Sequence, residues 1–129
     1  MPTAILTFMP GNELAAVELA RAIPSLSAQY LNVKGSLLHE GGVTEDEVIV
    51  RVQTGSEWDH NAPNINIHIR AHNFPERVEN DQERAELIHD ACRIYLDQTI
   101  GKDTSLSIEL ELANLGYKAS YPGETSKEA

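Results

Sequence analysis

At 129 residues the chain is long enough for one domain with a hydrophobic core, burying roughly two-thirds of the surface its unfolded chain exposes. Its 41% apolar and 23% charged residues exclude a disordered chain and a disulfide scaffold, and 20 acidic against 10 basic residues give a formal charge of −10. The basic residues are scattered, which disfavours nucleic acid and anionic membranes as partners and leaves any anionic ligand in need of a local concentration of arginine.

Residues 4–8 read as a first apolar strand, closed by the turn-forming Met9-Pro10-Gly11-Asn12, with Asn12 placed to cap the helix that follows. Leu14, Val17, Ala20 and Ile23 recur at helical spacing and predict a buried stripe. Pro24 either kinks that helix or restarts it in a new first turn running through Tyr30. Residues 33–44 hold Gly35, Gly41 and Gly42 and read as loop, with a short strand at Ser36-Leu37-Leu38. Residues 47–53 are rich in β-branched side chains and form a second strand, followed by Trp58 in a polar loop. Residues 64–70 alternate strictly, with Ile65, Ile67 and Ile69 on one face and Asn66, His68 and Arg70 on the other. After a loop at Asn73-Phe74-Pro75 a helix is expected over residues 80–98, with Ala85, Ile88, Cys92 and Tyr95 or Leu96 inward. Gly101 ends it, and Leu106, Ile108, Leu110 and Leu112 alternate with Ser107, Glu109 and Glu111 in a last strand.

This order predicts an α+β fold of two β-α-β units, giving a four-stranded sheet with two helices on one face. One domain over residues 1–121 is expected, with residues 122–129 a polar, disordered tail. The polar face carrying Asn66, His68, Arg70, Glu109 and Glu111 has no element to cover it and is expected to meet water or another subunit. No apolar run is long enough for a signal peptide or a membrane span, so the cytoplasm is the expected location.

Pro2 is the first candidate for chemistry. Removal of Met1 would leave its secondary amine as the chain terminus at the head of a strand. An α-amino group titrates at roughly 7.7–8.0, a prolyl amine starts somewhat higher, and desolvation and nearby cations bring it toward neutral pH, where it can act as a general base. Arg51, in mid-strand between Val50 and Val52, is either an edge-strand charge or a bidentate clamp for a carboxylate. Arg70 lies on the polar side of its strand, and Trp58 is a core or interface anchor or the wall of a site. His68 and His72 stand about 13 Å apart on an extended strand, too far to share an ion, and no ligand spacing for a metal is present. Nucleotide-binding glycine loops and the serine-hydrolase elbow are absent, and the lone Cys92 reads as a small core residue.

Several stretches together resemble a known family. These are Pro2 at the head of the first strand, Ala20-Arg21-Ala22-Ile23-Pro24-Ser25-Leu26, and Arg51-Val52 followed by Trp58. His68 followed by Arg77 and Ala85, and the strand Leu106-Ser107-Ile108-Glu109-Leu110-Glu111-Leu112, complete the set. The pattern is similar to the 5-carboxymethyl-2-hydroxymuconate isomerases of the tautomerase superfamily, and it extends over most of residues 2–118 with residues 33–46 as an insertion. The resemblance implies a tautomerase-like homotrimer with sites near subunit boundaries and a cofactor-independent isomerase moving a proton in an unsaturated 2-hydroxy or 2-keto acid. Pro2 would then be the catalytic base and Arg51 the matching strand arginine, with a small anionic acid as partner. A second family arginine falls at Ile49, so help from Arg70 is expected, with Trp58 excluding water. Two alternatives stay open: another reaction of the superfamily, such as keto-acid decarboxylation, and a non-catalytic ferredoxin-like binding or assembly domain with Met1 retained.

Overall fold

The computed structural model describes residues 2–33, 42–101 and 103–114. Its elements are β1 (Thr3–Phe8), α1 (Glu13–Leu31), a 3-10 turn (Glu45–Glu47), β2 (Ile49–Thr54), β3 (Ile65–His72), α2 (Pro75–Glu79), α3 (Asp81–Thr99) and β4 (Leu106–Ala113). The four strands form one sheet in the order β2-β1-β3-β4. Parallel pairs β1·β2 and β3·β4 are each joined through helix, and the two units meet along the antiparallel β1·β3 pair. The α+β architecture read from the sequence is the one observed. The expected strand at Ser36-Leu37-Leu38 and the tail at residues 122–129 lie outside the described residues.

Alternation decides which face of each strand is covered. Ala4 and Leu6 of β1 and Ile65, Ile67, Ile69 and Ala71 of β3 are 0% exposed and share one cluster with residues of α1 and α3. Leu106, Ile108, Leu110 and Leu112 pack against that cluster but stay half-buried, because β4 is an edge strand. Both long helices therefore lie on one face, and the opposite face carries the polar set.

Three local readings change. The buried stripe of α1 is Ala15, Ala16, Leu19, Ile23, Ser27 and Leu31, whereas Leu14 and Val17 are 66% and 48% exposed. Two apolar rows run along this helix, and the one beginning with two alanines faces the sheet because small side chains allow the closer approach. Pro24 does not restart the helix: α1 runs continuously from Glu13 to Leu31 with the proline inside it, at the cost of one N–H donor. Asn12 does not cap through its side chain. Its Nδ2 donates instead to the Met9 carbonyl at 3.0 Å, closing a turn in which Gly11 takes the positive φ of 94° that suits glycine.

The connection after β3 is also more ordered than a loop. Pro75 opens the short helix α2, where its missing N–H costs nothing, and α3 starts at Asp81 with Arg84, Ile88, Cys92 and Leu96 inward. Among the described residues no helix is long and apolar enough to cross a membrane.

Candidate active site at the head of the central strand

Pro2 precedes β1 and is buried on the helix side, in phase with Ala4 and Leu6. Its carbonyl accepts the Ile49 N–H at 3.1 Å, which ties it to the start of β2. Since β1 and β2 run parallel and β3 runs against them, this end of the sheet gathers the start of β2, the end of β3 and the end of β4. The C-terminal end of α1 reaches the same region through Leu31, whose carbonyl is bonded from the segment that follows β3. Val33, Val43 and Val48 are buried in the chain before β2, with the acidic turn Glu45–Glu47 between Val43 and Val48.

The open face is organised in three rows across the sheet. Ile49, Thr3, Arg70 and Glu111 form the row nearest Pro2; then come Arg51, Ile5, His68 and Glu109, and then Gln53, Thr7, Asn66 and Ser107. Arg51 is exposed on edge strand β2, and its side chain makes no hydrogen bond or ion pair among the described residues. Arg70 is half exposed and pairs through Nε with Glu111 Oε2 at 3.3 Å. His68 sits between two carboxylates, with Nε2 at 2.8 Å from Glu111 Oε1 and Nδ1 at 3.4 Å from Glu109 Oε2. Gln53 Nε2 donates to Thr7 Oγ1 at 2.9 Å. Basic charge thus lies at the β2 edge and acidic charge at the β4 edge.

The four residues singled out from the sequence are not brought together within one subunit. Arg51 and Arg70 share the open face, about 12 Å apart at Cα by strand spacing, while Pro2 faces the helices. Trp58 is 80% exposed in the β2–β3 connection, at the Phe8 end of β1 and about 20 Å from Pro2 along the strand.

What the sequence reading left without a role is a pair of buried arginines at the Pro2 end. Arg77 is 2% and Arg84 is 7% exposed. Arg77 Nε donates to the Leu31 carbonyl at 2.7 Å and Nη1 to the His72 carbonyl at 3.1 Å, and its guanidinium carbon lies 5.1 Å from the centre of the Phe74 ring. Arg84 Nη1 donates to the carbonyls of Tyr30 at 2.9 Å and Asn32 at 3.0 Å, and Nε to Asn80 Oδ1 at 2.6 Å. Burial, and then the neighbouring Arg84 charge, bring the Arg77 guanidinium down to about 10, so it stays a cation at neutral pH. The signal for Arg84 was legible: it heads the i, i+4 series Arg84, Ile88, Cys92, Leu96, and a charge in an apolar stripe needs partners.

The other groups have simpler roles. Burial pushes the Cys92 thiol up to about 12, which suits a core side chain and not a nucleophile. The His72 ring lies tilted at 56° against Phe74 with ring centres 4.7 Å apart. Among the described residues no group of three His, Cys, Asp or Glu side chains converges as a metal site. A cavity of about 230 Å³ opens between α1 and α3, lined by Ala22, Leu26, Ala91, Ile94 and Tyr95, in the helix layer and away from the sheet end.

No family model matches the chain, and no curated protein matches it. Solved structures do. A macrophage migration inhibitory factor-like protein from Entamoeba histolytica is 16% identical, with 92% of this chain and 96% of that one covered at a TM-score of 0.57. A fused 4-OT, solved as a symmetric trimer, is 15% identical over 95% of this chain and 94% of its own, at 0.59. A 5-carboxymethyl-2-hydroxymuconate delta-isomerase is 12% identical over 94% of this chain and 88% of its own, at 0.58. At such identities the likeness is one of fold: the chain has the tautomerase-like architecture shared by all three.

Proposed function

We propose that this protein is a cofactor-independent isomerase in which the Pro2 amine, freed by removal of Met1, moves a proton within an unsaturated 2-hydroxy or 2-keto carboxylic acid such as 5-carboxymethyl-2-hydroxymuconate. The observation that carries the reading is Pro2 itself, buried at the head of a central strand on a tautomerase-like fold. As a neutral amine it accepts the enol hydroxyl proton of the substrate, forming a dienolate, and as an ammonium it returns the proton to a carbon further along the conjugated chain. A guanidinium fork holds the substrate carboxylate and stabilises charge on the dienolate oxygen.

Arg51 rises from the face of the sheet opposite Pro2, so a carboxylate held over Pro2 is met by Arg51 of a neighbouring subunit. That requirement favours a homotrimer closed around the open faces, the basic β2 edge of one copy meeting the acidic β4 edge of the next. Arg70, beside Thr3 in the row nearest Pro2, lies on that same open face, so it too would meet the carboxylate from a neighbouring subunit.

Intact mass on the protein from its native host establishes whether Met1 is removed, and a ketonisation assay with 2-hydroxymuconate then tests the base. Pro2→Ala lowers kcat/KM by at least about 100-fold, while Arg51→Ala raises KM or lowers kcat for carboxylate substrates. A Met1-bearing native product, or a Pro2→Ala variant as fast as the wild type, sinks the proline mechanism in favour of a binding or assembly domain.

A further inference from the structure

Two like charges buried side by side need a reason. Capping is part of it: the last turn of α1 has no basic residue of its own, and Arg77 and Arg84 supply positive charge and donors to the carbonyls of Tyr30, Leu31 and Asn32. Neutral donors would satisfy those carbonyls without the desolvation and repulsion that two guanidinium groups bring. Glu76, whose Oε1 lies 3.4 Å from Arg84 Nη2, offsets part of the charge from a half-exposed position.

Their place relative to Pro2 supplies the rest. The β1·β3 register ends at Thr3 opposite Arg70, and one further residue sets Pro2 opposite Ala71 on the helix side. The nitrogen of Pro2 points back along the chain, toward the level of His72. The His72 carbonyl is the one that Arg77 Nη1 binds, which puts the guanidinium within about 10 Å of the amine on the same side of the sheet.

We propose that Arg77 and Arg84 are positioning residues for the Pro2 amine, their fixed charges keeping it unprotonated at neutral pH. This rests on the reading of Pro2 as the base. A cation at about 10 Å in surroundings of effective dielectric near 20 disfavours a second cation by about tenfold in protonation. Because both guanidinium groups are tied to backbone carbonyls, they act through their field and do not leave to clamp a substrate. The same field speeds return of the proton to carbon, since the ammonium formed in mid-reaction is the strained state.

The test reads the amine and not the reaction. Met1-free protein is acetylated with trace acetic anhydride across a pH series, and labelling of Pro2 by peptide mass gives the midpoint at which the amine deprotonates. Arg77→Met raises its proton affinity about tenfold, Arg77→Lys leaves it near the wild type, and Glu76→Gln lowers it by removing the offsetting anion. If the arginines only cap α1, Arg77→Met melts earlier with an unmoved midpoint, and that result overturns the proposal. Should Arg77→Met fail to fold, Glu76→Gln decides, because it alters a half-exposed side chain without changing its size; an unmoved midpoint there is equally fatal. A midpoint that follows these charges in a protein inactive on enolisable acids would instead sink the base reading and leave the electrostatic coupling standing.

Discussion

The two faces of this sheet are made by the same four strands, yet they hold charge in opposite ways. On the helix side each buried guanidinium is bonded to backbone carbonyls at fixed distances, whereas on the open face Arg51 is unpaired among the described residues and His68, Arg70, Glu109 and Glu111 form half-exposed ion pairs. A charge removed from water must be held by dipoles or partners it cannot lose, while one left in water is free to wait for a ligand or another subunit. In the proposed mechanism the helix side tunes the Pro2 amine and the open face serves recognition.

Deleting a charge from each face tests that contrast most severely. Arg84→Met should destabilise by about 3–5 kcal/mol, because carbonyls at the end of α1 lose their donors and Glu76 its partner. Glu109→Gln on the open face should cost less than about 1 kcal/mol by urea titration. Equal costs would show that the open face is as dry as the core.

The apolar counterpart compares adjacent residues of β3. Ile67→Ala removes a fully buried side chain and should cost about 2–5 kcal/mol, while Asn66→Ala should cost below about 1 kcal/mol in a separate subunit. A large cost at Asn66 that grows with protein concentration sharpens the comparison, since it places a second copy over that face.

The effect confined to alkaline pH is on the helix side. Cys92 stays protonated in the fold up to about 12 because of burial, whereas the unfolded thiol ionises from 9.0. The folded form then binds the extra proton, so this contribution to stability is fully present below pH 9.0 and declines as pH rises toward 12, by up to about 1.4 kcal/mol per unit. Cys92→Ala should flatten that part of the stability curve, and an identical slope in the variant would locate the effect elsewhere.

Legibility followed from how many interactions a residue's state depends on. Ile65, Ile67 and Ile69 alternate with polar neighbours, and a one-residue slip would bury Asn66, His68 and Arg70, so the facing of β3 could be read directly. Leu14 and Val17 misled because α1 has apolar residues on two rows, and helical periodicity alone does not choose between them. Pro75 read as loop because one turn of helix is too short to show a period. Trp58 and Pro2 are both at strand ends, but only the pairing shows that the ends are opposite ones.

By itself, then, the sequence determined the order of the strands and long helices, the covered face of β3 and β4, and a proline at the head of the first strand, since each follows from local alternation or chain position. Only the tertiary structure decided which arginines are buried at that end of the sheet. Arg77 and Arg84 are buried by carbonyls 46 to 54 residues away, and Arg51 is turned from Pro2 by its pairing with Ile5. Burial of a charge is settled by partners distant in sequence, because no local pattern can supply the dipoles that replace its water.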